Sequence, residues 1–73
     1  MWRINMKVLF NNGKSKTYRS YFTNFKECKK LKQKYINLFQ KGFAENIKGY
    51  FIVKNDVIRL KDISAINFRI GIF

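Results

Sequence analysis

The first ten residues alternate. Trp2, Ile4, Met6, Val8 and Phe10 hold the even positions, and Arg3, Asn5 and Lys7 hold the odd ones, with Leu9 as the exception. Side chains on a strand point to opposite faces in turn, so this pattern predicts a half-buried strand over 2–10. Asn11-Asn12-Gly13-Lys14 follows, and Asn-Gly favours the positive φ of a tight hairpin turn. Residues 15–22 then read as the returning strand. Two registers compete. A two-residue turn at Asn12-Gly13 sets Val8 against Thr17 and Met6 against Arg19, leaving Tyr18 and Lys16 outside. A three-residue turn with a glycine bulge sets Met6 against Tyr18 and Trp2 against Phe22, burying both aromatics. A one-residue slip turns every side chain over; the bulged register is favoured because it places two large apolar groups inside.

Asn24, with Glu27 three residues on, has the form of a capping box. It opens a predicted helix over 25–41, with Gly42 suited to a left-handed C-cap. Phe25, Cys28, Leu31, Tyr35, Leu38 and Phe39 fall on one stripe. Lys26, Lys29, Lys30, Lys34 and Lys41 lie opposite, and Lys32 sits at the stripe's edge. Residues 43–49 show no periodicity and read as a connector. Residues 50–53 and 57–61 predict a second hairpin around Asn55-Asp56, with Phe51, Val53, Ile58 and Leu60 on one face and Tyr50, Ile52, Arg59 and Lys61 on the other. After a break at Asp62, residues 64–73 alternate again, with Ile66, Phe68, Ile70 and Ile72 pointing one way. The predicted fold is therefore one α+β domain over 1–73, of order β-β-α-β-β-β. It is a single antiparallel sheet, made of two hairpins and a C-terminal strand, packed on one amphipathic helix. Met6 could serve as an alternative start, but Trp2 and Ile4 belong to the same strand pattern.

Composition changes the picture in one respect. The chain has 73 residues, 47% of them hydrophobic, which argues against disorder. Yet sixteen Lys and Arg face only Glu27, Glu45, Asp56 and Asp62, a formal charge of +12. Self-repulsion on this scale weakens a small fold unless an anion relieves it. The single cysteine, Cys28, permits no internal disulfide. Small secreted domains usually need such staples, so a reducing cytoplasm is expected. No apolar run approaches the roughly 18 to 20 residues of a membrane span.

Catalysis is not expected. Histidine is absent, which removes the commonest general base and transition-metal ligand. A lone cysteine on an apolar stripe reads as a core residue, and the four acids are scattered. The four glycines form no phosphate-cradling loop. No metal, cofactor or small-molecule substrate is implied.

Two basic surfaces are predicted. One is the outer helix face with Lys26, Lys29, Lys30, Lys34 and Lys41. Such lysines are ordinarily just solvated, but an ordinary solvent face interleaves signs to gain i,i+4 pairs, and here Glu27 is the only acid. The other is the outer sheet face, expected to gather Arg3, Lys7, Arg69, Arg59 and Lys61 around Tyr50 and Ile52. An open antiparallel sheet has a polar face in any case; a basic one with exposed rings can also stack bases and hold phosphates. Lysine outnumbers arginine twelve to four, which suits backbone attraction better than base readout. Neutralising roughly three to five phosphates gives a log-log salt slope of about −3 to −4 on duplex DNA.

The expected partner is therefore nucleic acid, bound non-specifically and salt-sensitively. The alternative is a phage-type inhibitor or adaptor docking on an acidic host protein. Steering by charge serves either. Attachment to membrane lipid is disfavoured, because the helix's apolar stripe is needed for the core. Exposed Ile52, Leu9 and Phe73 leave a homodimer open. The Lys/Asn/Ile-rich composition resembles that of small phage and mobile-element proteins of low-GC bacteria, a likeness of composition without a motif.

Overall fold

The structure is a computed structural model and describes residues 1–44 and 49–72. Strands β1 (Trp2–Phe10) and β2 (Ser15–Phe22) precede helix α1 (Phe25–Ala44). Then come β3 (Tyr50–Val53), β4 (Asp56–Arg59), a 3-10 turn over Leu60–Asp62, and β5 (Ile63–Ile72). The α+β class, the element order and the helix packed on antiparallel sheet are those the sequence implies. The strands, expected in one sheet, hydrogen-bond as two sheets: β2-β1-β5 and a separate β3-β4 ribbon.

The first hairpin takes the bulged register. Met6 stands opposite Tyr18 and Trp2 opposite Phe22. The Gly13 N–H donates to the Phe10 carbonyl at 3.0 Å, and the Phe10 N–H to the Lys14 carbonyl at 2.8 Å. Gly13 takes φ +85, a conformation that costs glycine least. Asn12 Oδ1 accepts from the Lys14 N–H at 2.9 Å. On the far side of β1, β5 runs antiparallel with Met6 opposite Phe68 and Ile4 opposite Ile70. Ile4, Met6 and Val8 are all buried on the inner face.

Helix α1 begins as its capping signal predicts: Asn24 Oδ1 accepts from the Glu27 N–H at 3.0 Å. Its end differs. The helix runs through Gly42 to Ala44. Gly42 is buried within the helix, and a Cβ there would stand 2.8 Å from Leu60 Cδ1. The glycine serves close approach rather than a left-handed cap. Burial follows Cys28, Phe39 and Gly42, with Leu31, Tyr35 and Ile36 half-buried. Leu38, expected on the stripe, is exposed, and so is Phe25, although its ring lies 4.8 Å from that of Trp2. Of the expected connector, residues 45–48 lie outside the described residues, as does Phe73.

The ribbon turns at Lys54-Asn55, one residue earlier than expected, with Val53 opposite Asp56 and Phe51 opposite Ile58. Pairing thus shifts by two residues relative to the expected register, which preserves the faces. Phe51, Val53, Ile58 and Leu60 are buried, while Tyr50, Ile52, Arg59 and Lys61 are exposed. The ribbon's buried side closes the core with Met6, Val8, Tyr18, Phe39 and Ile63. The Phe51 ring lies 4.3 Å from that of Phe39 and 5.2 Å, edge-on, from that of Tyr35. Side chains tie ribbon to sheet. The Asp56 carboxylate accepts from the Lys16 ammonium and, at 2.6 Å, from the Tyr18 hydroxyl. The Lys54 amine donates to the Arg19 carbonyl of β2. At the other end the Asn11 side chain donates to the Lys61 carbonyl at 2.7 Å.

Candidate basic interfaces

The outer face of the three-stranded sheet carries the odd residues of β1. Register fixes their neighbours. Asn5 lies between Arg19 of β2 and Arg69 of β5; Arg3 lies between Tyr21 and Gly71; Lys7 lies between Thr17 and Asn67. Strands are about 4.8 Å apart and alternate residues about 7 Å apart. Four cations, Arg3, Lys7, Arg19 and Arg69, therefore surround Asn5 as the corners of a diamond, about 14 Å by 10 Å. The Arg19 guanidinium donates to Asn5 Oδ1 at 3.0 Å, which holds one corner in place. No Asp or Glu occurs in β1, β2 or β5. Tyr21, half exposed at 50%, stands beside Arg3 on the same face.

Of the residues expected on this face, Arg3, Lys7 and Arg69 are brought together. Arg59, Lys61 and Tyr50 do not join them. Tyr50 and Arg59 sit on the ribbon, which turns its apolar side to the core, and Lys61 sits on the 3-10 turn that follows it, so none of them lies on the three-stranded sheet. Arg59 is also engaged, donating to the Asp62 carboxylate at 3.0 Å. Sequence reasoning missed Arg19 and Tyr21 as face residues. The signal was present: the bulged register that buries Tyr18 necessarily turns Arg19 and Tyr21 outward.

The helix supplies the second surface. Lys26, Lys29, Lys30, Lys34 and Lys41 are all exposed, on the side opposite the buried stripe. Lys26, Lys30 and Lys34 follow one another at i,i+4 spacing, where like charges oppose helix formation. The Lys29 ammonium lies 5.3 Å from the Phe25 ring centroid, so part of its charge is engaged within the chain. Because α1 covers the inner side of the sheet, the two basic surfaces point away from each other.

The two described acids of the ribbon segment, Asp56 and Asp62, are both in ion pairs. Hydrogen bonds from Lys16 and then from Tyr18 lower the Asp56 carboxyl below its usual range. Burial, followed by the bond to Asp56, keeps the Tyr18 hydroxyl protonated well above its ordinary range. Burial pushes the Cys28 thiol up, and the Glu27 charge adds to this; a thiol so placed is a poor nucleophile. Among the described residues, no three His, Cys, Asp or Glu converge as a metal site, and no helix is long and apolar enough to cross a membrane.

An open depression crosses the outer face between Arg19 and Arg69 and continues over β5 to the inner-face residues Ile66 and Phe68, with Lys32 of α1 at its rim. A smaller, mainly apolar groove lies between α1 and β5, lined by Ile36, Phe39, Gln40, Ile66 and Phe68. No protein-family model, curated protein or solved structure matches the chain.

Proposed function

We propose that the protein is a nucleic-acid-associated accessory protein that holds a phosphate backbone on the outer face of its three-stranded sheet. The diamond of Arg3, Lys7, Arg19 and Arg69 around Asn5, on strands without a carboxylate, carries this reading. Four cations on one face can neutralise up to about four phosphates of a backbone laid across it. Three of the four are arginines, which grip phosphate by two parallel hydrogen bonds. Tyr21 beside them offers a stacking ring for an unpaired base. Among the described residues no helix or loop projects from this flat face to enter a groove, which favours non-specific binding. The composition is the only support for a phage or mobile-element origin.

Anisotropy of labelled 20-nucleotide single strands and duplexes, titrated at several salt concentrations, tests the reading. Four neutralised phosphates give a log-log slope of about −3.6 on duplex and about −2.8 on single strands. Arg69→Gln should reduce the duplex slope by about 0.9, while Lys30→Gln on the helix should leave it unchanged. Equal effects of the two substitutions, or no binding at low salt, would defeat the proposal. One observation favours the second reading, a protein partner: the ribbon exposes Tyr50 at 68%, Ile52 at 67% and Val57 at 63%.

A further inference from the structure

The two outer edges of the three-stranded sheet are treated differently. A strand edge offers unpaired N–H and C=O groups to any extended chain, and proteins guard such edges with charges, proline or covering segments. On the β2 edge the Lys54 amine occupies the Arg19 carbonyl, and Lys16 and Arg19 add charge along the strand. Among the described residues, no side chain is seen to occupy a β5 edge group in this way. Among the described residues β5 pairs only with β1. It is ten residues long, contains no proline, and carries Arg69 as its only charge. Beside it lies the apolar groove between Ile66 and Phe68 of β5 and Ile36 and Phe39 of α1.

The geometry points to β5 as a docking edge for an extended peptide segment that alternates apolar and acidic residues. Pairing along β5 adds a fourth strand, and the period of two then sorts the guest's side chains. Those on the inner side enter the groove against Ile66 and Phe68. Those on the outer side come beside Arg69, on a face whose strands hold no carboxylate. Lys32, at the rim of the depression that passes over β5, meets the guest from the helix side. Charge selects the occupant. A second copy would bring another chain of +12 to the same edge, whereas an acidic strand relieves charge as it pairs. The site shares Arg69 with the proposed nucleic-acid face, but its assay contains no nucleic acid and reads β5 pairing, so the two proposals can fail separately.

The probe is a capped ten-residue peptide alternating valine and glutamate, followed by anisotropy and by amide exchange of the isotopically labelled protein. Binding should slow exchange within β5 and leave that of β2 unchanged. Arg69→Gln and Lys32→Gln should each weaken binding about 2- to 5-fold, with circular dichroism confirming an unchanged fold. Two further peptides, N-methylated at odd or at even positions, separate ladder formation from simple attraction. One set removes the N–H groups facing β5 and should abolish binding; the other removes those facing solvent and should not. Equal behaviour of the two methylated peptides overturns the proposal, as does equal binding of a valine–lysine peptide. So does concentration-dependent protection of β5 without any peptide, which would assign the edge to a second copy.

Discussion

Gly42→Ala offers a direct measure of how tightly the end of α1 is seated. In an open helix this substitution stabilises by about 1 kcal/mol, because alanine orders at less cost than glycine. Here the new methyl carbon would stand 2.8 Å from Leu60 Cδ1, with Cδ2 at 3.6 Å and Cγ at 3.7 Å. Favourable carbon contacts begin at about 3.5 Å, so one contact is too close by roughly 0.7 Å. Leu60 is only 8% exposed, which limits its room to rotate away, and overpacking of this kind costs about 1–3 kcal/mol. The difference is a net destabilisation of about 0–2 kcal/mol. Leu60→Ala alone should cost about 2–5 kcal/mol through the cavity it leaves. In the double variant the added methyl has space, so the two effects should sum to less than their separate costs. Urea unfolding followed by helical ellipticity, at constant m-value, gives all four stabilities. A full stabilisation of about 1 kcal/mol by Gly42→Ala, simply additive with Leu60→Ala, would refute the close-packing argument.

Other substitutions probe the face and the turns. Tyr21→Ala should weaken single-strand binding by about 1–3 kcal/mol while changing duplex binding much less, read from the same anisotropy titrations; equal losses on both would remove the stacking role. Gly13→Ala meets no atom within 4 Å but must hold φ +85, so a backbone cost of about 1–2 kcal/mol is expected in urea unfolding. The depressed Asp56 carboxyl contributes stability above the ordinary carboxylate range and loses it as pH falls through its folded value. Asp56→Asn should therefore shrink the acid limb of a stability–pH profile. The raised Tyr18 hydroxyl acts in the opposite sense: stability holds below about pH 10 and falls above it, a limb that Tyr18→Phe should remove.

Local pattern made the strands legible, because alternation along β1 and β5 and the Asn-Gly turn are encoded within a few residues. Asn24 announced the helix start for the same reason: its bond to the Glu27 N–H spans three residues. The helix end was misread because the need for glycine at position 42 comes from Leu60, eighteen positions away and invisible to any local rule. The ribbon's turn slid by one residue, with its faces intact, since the pairing shift was an even number. Whether two hairpins share one sheet depends on which backbone groups meet in space, and periodicity carries no information about that. This is why Arg59, Lys61 and Tyr50 were placed with Arg3 and Lys7, while Arg19 and Tyr21 were overlooked. Their outward placement followed from the register of the first hairpin, once glycine settled it.

The ribbon joins the rest of the molecule through Asp56, Lys54, the Asn11 bonds to the turn that follows it, and apolar packing rather than through shared strand pairing. It can lift away without rupturing any ladder bond of β2-β1-β5. Opening should accordingly proceed in stages: amide protons of residues 50–59 exchange first, and those of β1, flanked on both sides, exchange only when the whole chain unravels.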